Sequence, residues 1–166
     1  MTILMGIDPG SRITGYGLVK VEGTRYQHIE SGCIRTEQQN LAGKLRQIYL
    51  GIESVVQQYQ PHEVAIEEVF FHNNVKAALK LGQARGAAIV AVATSGLTVA
   101  EYSPREIKQA VVGYGAASKE QIQHMVKRLL NIQADLQADA ADALAIAICH
   151  GQNRMLRKVY AELINE

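Results

Sequence analysis

Residues 2–21 read TILMGIDPGSRITGYGLVKV, a strand, a turn and a second strand in immediate succession. The apolar run at residues 2–7 predicts a buried strand. Asp8-Pro9-Gly10-Ser11 then predicts a turn, because Pro fixes φ and Gly adopts conformations that other residues resist. Residues 16–21 predict the second strand. The chain therefore opens with an antiparallel pair.

The pattern continues with a third strand at residues 26–35, reached through a short turn at Gly23-Thr24. Asn40 is a typical helix cap, and apolar residues recur with a helical period over residues 41–59 until Pro61 stops the helix. A strand returns at residues 64–69. Three strands joined by short turns predict an antiparallel meander, followed by a helical crossover to the fourth strand.

The second half alternates between helices and one strand. A helix rich in small residues spans 74–95, a strand follows at 97–102, and capping boxes at Ser103 and Ser118 open two more helices. The last helix begins near Gln137 and runs through Ala138 to Ile148. This order predicts an α/β fold with one mixed five-stranded sheet, three strands antiparallel and the others parallel, and helices on both faces.

Composition limits the class of protein. With 166 residues, 48% of them hydrophobic and 20% charged, the chain is predicted to form a single domain over residues 1–166, and fibrous or disordered classes are excluded. The longest apolar runs fall well short of the ~18 residues that a membrane span needs. We expect a cytoplasmic protein without a membrane association.

Positive charge concentrates in the middle of the chain. Residues 74–130 contain 8 Lys and Arg but 3 Asp and Glu, whereas both flanks are net negative. Such a segment favours a partner with a phosphate backbone, although a solvated helical surface is the other interpretation of the charge alone. The candidate phosphate contacts are Lys76, Lys80, Lys108, Lys119, Lys127 and Arg128.

Four carboxylates stand in apolar or alanine-rich surroundings, namely Asp8, Glu67, Asp139 and Asp142. Asp139 and Asp142 are three residues apart and share one helix face, which Asp8 and Glu67 can reach if the first and fourth strands are neighbours. Clustered carboxylates without Cys or patterned His suit Mg²⁺, and a pair of such ions supports phosphoryl transfer. The pattern predicts nuclease chemistry. Taken singly, Asp8 could be a turn residue and Asp139 a helix-end charge.

Six blocks of sequence, in order, resemble the RuvC-type Holliday junction resolvases of bacteria, which have the RNase H-like fold. They are GIDPGSRITGYG at 6–17, SGCIRT at 31–36, AIEEVF at 65–70, ALKLGQARG at 78–86, REIKQAVVGYGAASKEQIQHMV at 105–126 and QADAADALAIAICH at 137–150. Nearly the whole chain is covered. This sequence differs from the family pattern at Phe71-His72-Asn73-Asn74, where the resemblance predicts a basic residue.

The resemblance implies a crossover junction endodeoxyribonuclease for recombination and repair, making symmetric paired nicks with 5′-phosphate and 3′-hydroxyl ends. By resemblance, the four carboxylates bind two Mg²⁺ ions, for which Mn²⁺ substitutes. Phe70 matches an aromatic residue that contacts bases near the crossover, and Lys108 and Lys119 match basic residues near the active site, Lys119 with a part in catalysis. Four-way junction DNA and the RuvA-RuvB branch-migration complex are the implied partners.

A homodimer is also predicted. One chain with one acidic cluster can cut one strand, whereas a two-fold dimer presents two identical sites to a junction that has two strands to cut. The helix at 74–95 offers an interface through small and apolar residues, although covering its own sheet is the other role open to it. Those residues are Ala77, Ala78, Leu81, Gly82, Arg85, Gly86, Ile89 and Val90.

Three alternatives compete with this interpretation. An actin-like or sugar-kinase protein shares the Asp8-x-Gly10 turn but needs a much longer chain. The smaller YqgF-type nuclease of the same fold has a similar first strand but different later blocks. A DNA-binding module without catalytic activity would explain the basic segment but not the four carboxylates. Metal-dependent cleavage of a four-way junction distinguishes the last two from a resolvase.

Overall fold

The computed structural model describes residues 1–69 and 73–164 of the chain. The elements in chain order are β1 (Thr2–Asp8), β2 (Ile13–Glu22), β3 (Arg25–Arg35), α1 (Leu41–Tyr59), β4 (Glu63–Glu67), α2 (Val75–Thr94), β5 (Val99–Tyr102), α3 (Pro104–Val112), α4 (Lys119–Leu129) and α5 (Ala138–Ile164).

The five strands form one mixed sheet in the order β3-β2-β1-β4-β5. β1 pairs antiparallel with β2, and β2 pairs antiparallel with β3. β1 pairs in parallel with β4, and β4 in parallel with β5. The predicted meander, crossover and neighbouring first and fourth strands are all confirmed.

The second strand begins earlier than the sequence pattern indicated. It starts at Ile13 rather than Tyr16, because Ile13 pairs with Arg35 and Thr14 with Ile34. Thr14 is fully buried, and its hydroxyl donates to the Gly10 carbonyl at 3.1 Å. Thr14 is polar and Gly15 has no side chain, so residues 13–15 lack the alternation of apolar and polar residues that is typical of a strand. The sequence pattern therefore predicts too late a start for β2.

The helix caps follow the predicted side chains. Asn40 Oδ1 accepts from the Gly43 backbone nitrogen at 2.7 Å. Ser103 and Ser118 open α3 and α4 with complete capping boxes, so each hydroxyl accepts from a backbone N–H three residues later. These caps define where α1, α3 and α4 start.

Successive strand residues face opposite sides of the sheet and supply two separate cores. One core lies under α1 and α2 and includes Met5, Ile7 and Leu18. The other lies under α3, α4 and α5 and includes Leu4, Val19 and Ala65. The prediction of helices on both faces is confirmed. None of the described helices is long and apolar enough to cross a lipid bilayer.

The N-terminal half of α5 packs directly against the backbone of β1 and β2. A Cβ atom at Gly6 would overlap the Ala143 carbonyl and lie 2.7 Å from the Ala147 nitrogen. A Cβ at Gly15 would overlap the Asp139 carbonyl in the same way. The glycines of the strands are therefore necessary for this close approach of α5 to the sheet.

The middle of α5 is fastened to the sheet by buried polar side chains. The Tyr102 hydroxyl is hydrogen-bonded to His150 Nδ1 at 2.8 Å, and His150 Nε2 lies 2.9 Å from a Glu63 carboxylate oxygen. Arg154 Nε donates to the same carboxylate at 2.9 Å. These bonds tie α5 to the start of β4 and the end of β5.

Candidate active site

Asp8 and Glu67 lie at the carboxyl ends of two neighbouring parallel strands. Ile7 of β1 is in register with Ile66 of β4, and Asp8 and Glu67 are the next residues on each strand. Neighbouring positions in a parallel pair point to the same face. Both carboxylates therefore share one end and one face of the sheet.

The N-terminal turns of α5 cover that same end. Gly15 pairs with Asp8 across the sheet, and the Asp139 backbone lies in contact with Gly15. Asp142 follows Asp139 by one helical turn on the same side of the helix. The structure thus brings together the four predicted carboxylates, which we call the acidic cluster: Asp8, Glu67, Asp139 and Asp142.

Burial dominates the electrostatics of the acidic cluster. It raises the pKa of Asp8 to about 8, with further contributions from the negative charges of the other three carboxylates. Burial also raises the pKa of Glu67, and the charge of Asp142 adds to this shift. The pKa of Asp142 is raised by burial, although its bond to Lys119 opposes the shift. Carboxylates in such a site favour a positive charge among them.

Two predicted lysines lie beside the acidic cluster. Lys119, the first residue of α4, places its Nζ 2.9 Å from Asp142 Oδ2, and this bond raises the pKa of the lysine. The positive charge of Lys108 on α3 lowers the pKa of Glu67, against the effect of burial. A cleft of about 280 Å³ opens here, with walls that include Glu67, Lys108, Lys119, Ile122 and Asp142.

The donor chemistry of the acidic cluster suits hard divalent cations, which take carboxylate oxygens as ligands. Within residues 1–69 and 73–164, however, no three Asp, Glu, His or Cys side chains form a ready-made cage around a metal position. Lys119 supplies positive charge to Asp142 instead. The cluster therefore fits a metal by ligand type and partial burial, although its side chains are not arranged around a metal position in this structure.

The remaining predicted contacts are more dispersed. Lys127 and Arg128 occupy the last turn of α4, so their backbone lies about 12 Å or more along the helix from Lys119. Lys76 and Lys80 are exposed on α2, which packs on the opposite face of the sheet. Phe70 lies outside the described residues, as do Phe71 and His72 of the following loop.

Arg85 is placed differently from our expectation. We included it in the dimer surface of α2, but its Nε donates to the Glu67 carbonyl at 3.2 Å and its guanidinium pairs with Glu101. The side chain is 18% exposed. Arg85 thus fastens α2 to the end of β4, immediately beside a carboxylate of the acidic cluster. The pattern of α2 alone could not predict this, because the contact joins distant elements.

Comparison with known proteins gives a consistent result. The family model for the crossover junction endodeoxyribonuclease RuvC matches residues 4–150. The Tolumonas auensis protein of that name is 56% identical over 165 residues, covering 96% of this chain and 95% of that protein. The Thermus thermophilus RuvC solved with a Holliday junction substrate is 34% identical with a TM-score of 0.86, and the match covers 93% of this chain and 96% of that one.

A more distant structure shares the fold alone. The yeast mitochondrial Holliday junction resolvase is 13% identical, with a TM-score of 0.67 over 96% of this chain and 83% of its own. The arrangement of sheet and helices is therefore common to proteins whose sequences have diverged widely.

Proposed function

Because this chain belongs to the RuvC family of crossover junction endodeoxyribonucleases, we propose that it resolves Holliday junctions with the acidic cluster as its metal-binding centre. The observation that carries the assignment of the site is the clustering of four partly buried carboxylates at the meeting point of β1, β4 and α5. Enzymes of this family depend on a metal. We propose two Mg²⁺ ions per site, with Mn²⁺ as a substitute.

The residues around the cluster suggest a division of labour. Asp8, Glu67 and the two α5 carboxylates hold the cations, which would lower the pKa of the attacking water and stabilise the leaving 3′ oxygen. Lys119 is held beside Asp142, and it would be available for a phosphate oxygen if that carboxylate held a cation. Lys108 lines the same cleft and orients the scissile strand.

The proposed function is tested with a synthetic four-way junction and a linear duplex of the same sequence. In Mg²⁺ we expect paired nicks in the junction, with 5′-phosphate and 3′-hydroxyl ends, and at most trace cleavage of the duplex. EDTA should stop the reaction. Junction binding without cleavage in Mg²⁺ or Mn²⁺ would instead identify a DNA-binding module and overturn the proposal.

Magnesium affinity should depend steeply on pH. The pKa of Asp8 is about 8, and a carboxylate must lose its proton before it binds a cation. The apparent dissociation constant should therefore rise about tenfold for each pH unit below about 8. Calorimetric titration with Mg²⁺ at pH 6.5, 7.5 and 8.5 measures this directly. A constant affinity over that range would contradict a metal-binding Asp8 with a pKa near 8.

Lys119→Ala should slow the chemical step more than it weakens binding. Removal of the ammonium beside Asp142 takes away a positive charge where phosphate charge develops, and we expect the cleavage rate to fall about 10–100-fold. Single-turnover cleavage with saturating protein separates this effect from affinity. Lys127→Ala, at the other end of α4, is the matched control and should change affinity alone. If junction affinity and the single-turnover cleavage rate fell by the same factor, Lys119 would act only as a phosphate contact.

We also propose that the protein works as a homodimer through α2. Val75, Leu79 and Val90 are more than half exposed although they are large and apolar. With Gly82 and Gly86 they recur every three or four residues, so they lie along one face of the helix. The buried residues Ala84, Ala88, Ala91 and Val92 lie on the opposite face, against the sheet.

The two glycines of this outer face favour a close approach by a second copy. A Cβ at Gly82 or Gly86 would have no atom of its own chain within 4 Å among the described residues. Glycine in an exposed helix costs about 1 kcal/mol relative to alanine, and the fold of one chain gives no reason for it. Of the residues first predicted for the interface, Ala77, Gly82 and Val90 are exposed, whereas Ala78, Leu81, Arg85, Gly86 and Ile89 are partly buried in their own chain.

Gly82→Glu combined with Gly86→Glu should give a folded monomer. The added side chains meet open space in one chain but place charge in the proposed interface. Sedimentation at micromolar concentration should change from dimer to monomer, and paired nicks should become single nicks. Gln57→Glu with Gln58→Glu adds the same charge to exposed sites on α1 and should change neither result. A wild type that sediments as a monomer would exclude the stable dimer.

Three further features belong to this proposal. The chain acts as one nuclease domain, supported by a single sheet with helices on both faces. It works in the cytoplasm, since its substrate is DNA. It receives junctions from the RuvA-RuvB branch-migration complex, which rests on family membership alone.

A further inference from the structure

A basic groove lies at the same end of the sheet as the acidic cluster, on the opposite face. We call it the α1–α2 groove. It has a volume of about 300 Å³ and lies between the β1–β2 turn, the start of α1 and the first half of α2. Its polar walls are formed by Ser11, Arg12, Gln39, Lys44, Lys80 and Gln83.

A second depression extends this groove toward the end of β3. It has a volume of about 500 Å³ and shares Arg12, Gln39 and Lys44 with the first, so the two are continuous. Arg35 adds a fourth cation to the combined surface, and Glu37 is its single acidic side chain. Among residues 1–69 and 73–164, none of the four cations takes part in a salt bridge.

The walls of the groove are held in place by hydrogen bonds. The Thr36 backbone nitrogen donates to the Arg12 carbonyl at 3.0 Å, and the Thr36 hydroxyl donates to the Ser11 carbonyl at 2.8 Å. Gln47 of α1 accepts from the backbone nitrogens of Glu37 and Gln38 at 2.9 and 3.2 Å. These bonds fix the β1–β2 turn to the end of β3 and fix residues 37–38 to α1. The backbone that carries the cations is therefore already ordered, which lowers the entropy cost of binding a ligand.

The position of the groove close to the acidic cluster indicates that its ligand is DNA. Arg12 follows Asp8 by four residues, so their Cα atoms are at most about 14 Å apart. A DNA strand carries one phosphate for about every 3.4 Å of helix axis. A scissile bond held at the acidic cluster and a phosphate held by Arg12 would therefore be at most about four nucleotides apart on one strand. An unpaired row of cations at this spacing complements a phosphate backbone.

We propose that the α1–α2 groove binds phosphates of the DNA that leaves the cleavage site, with Arg12, Lys44 and Lys80 as the main contacts. This inference rests on the proposed junction cleavage and extends it to a second surface. Lys108 and Lys119 hold the DNA on one side of the end of β1, and the groove holds it on the other. Phosphate contacts fix position without reading sequence, so the groove should act equally on any junction sequence.

The test measures junction binding in EDTA over a range of salt concentrations. Arg12→Gln combined with Lys44→Gln should lower the slope of log affinity against log salt by about 2 and weaken binding about tenfold or more at low salt. Lys20→Gln combined with Arg25→Gln removes the same charge near the other end of the sheet and should leave the slope nearly unchanged. Circular dichroism confirms that each variant is folded.

Phosphate ethylation interference then locates the contact. In the wild type, ethylation within about five nucleotides on one side of the scissile bond should weaken binding, and the Arg12/Lys44 variant should lose that sensitivity. If the Arg12/Lys44 variant had the same salt dependence of affinity as wild type, or the same ethylation interference, the groove would not be a DNA-binding site. Its ligand would then be another polyanion, such as an acidic protein. Cleavage by the wild type in Mg²⁺ is measured alongside, so a failure of the proposed function is seen separately.

Discussion

Asp8→Asn is expected to abolish junction cleavage, with a rate at least about a thousandfold below wild type, while junction binding is retained. The substitution removes the negative charge of a carboxylate that we propose as a metal ligand, and loss of about 4 kcal/mol of transition-state stabilisation corresponds to this factor. DNA affinity comes mainly from cations elsewhere on the surface. Single-turnover cleavage and a binding titration on the same junction give the two values.

Thermal unfolding in EDTA shows that this variant is folded. The pKa of Asp8 is raised in the folded state, so its protonated form is favoured there. The resulting stabilisation is fully present below the ordinary value of 3.8 and is lost as the pH rises toward about 8. At pH 7 the folded wild type must hold a proton on Asp8 that the unfolded chain has released, and asparagine avoids this cost, so the variant should melt no lower than wild type. Undiminished cleavage by Asp8→Asn would contradict the assignment of the site.

Gly6→Ala is expected to destabilise the fold by about 4 kcal/mol or more, although it adds one methyl group. That methyl would overlap the Ala143 carbonyl and lie 2.7 Å from the Ala147 nitrogen, both backbone atoms of α5. Backbone cannot rotate away as a side chain can, so the helix must lift from the sheet. Urea unfolding followed by circular dichroism measures the loss, and cleavage should fall with it.

Gly51→Ala is the matched control for this effect. Its methyl would meet the end of the Ile34 side chain, with Cδ1 at 2.6 Å, and that side chain can move. The better helix propensity of alanine offsets the crowding, so we expect a change within about 1 kcal/mol. If Gly6→Ala lowered the free energy of unfolding as little as Gly51→Ala, the close contact between α5 and β1 would not be needed to hold α5 against the sheet.

The sequence predicted the elements well where local chemistry determines them. Ser103 and Ser118 cap their helices because a hydroxyl three residues before a Glu or Gln satisfies free backbone groups at once. The start of β2 was predicted too late, because Thr14 and Gly15 interrupt the apolar alternation. Thr14 bonds to the turn at Gly10, and Gly15 contacts α5. Both are tertiary contacts, which a local sequence pattern cannot predict.

The four carboxylates were also predictable, because a charge within an apolar run needs a compensating partner. The pairing of Lys119 with Asp142 was not, since it depends on how α4 packs against α5. The α1–α2 groove was missed for a related reason. Arg12, Arg35 and Lys44 belong to the net negative first part of the chain, and folding alone gathers them beside Lys80.

The acidic cluster joins the first strand of the chain to its last helix. Asp8 and Glu67 are synthesised early, whereas Asp139 and Asp142 arrive with α5, which packs onto the glycines of β1 and β2. A growing chain on the ribosome therefore cannot assemble the full cluster until α5 has emerged. Copies of the chain that end before α5 carry only Asp8 and Glu67 of the four carboxylates, and we expect such copies to have no cleavage activity.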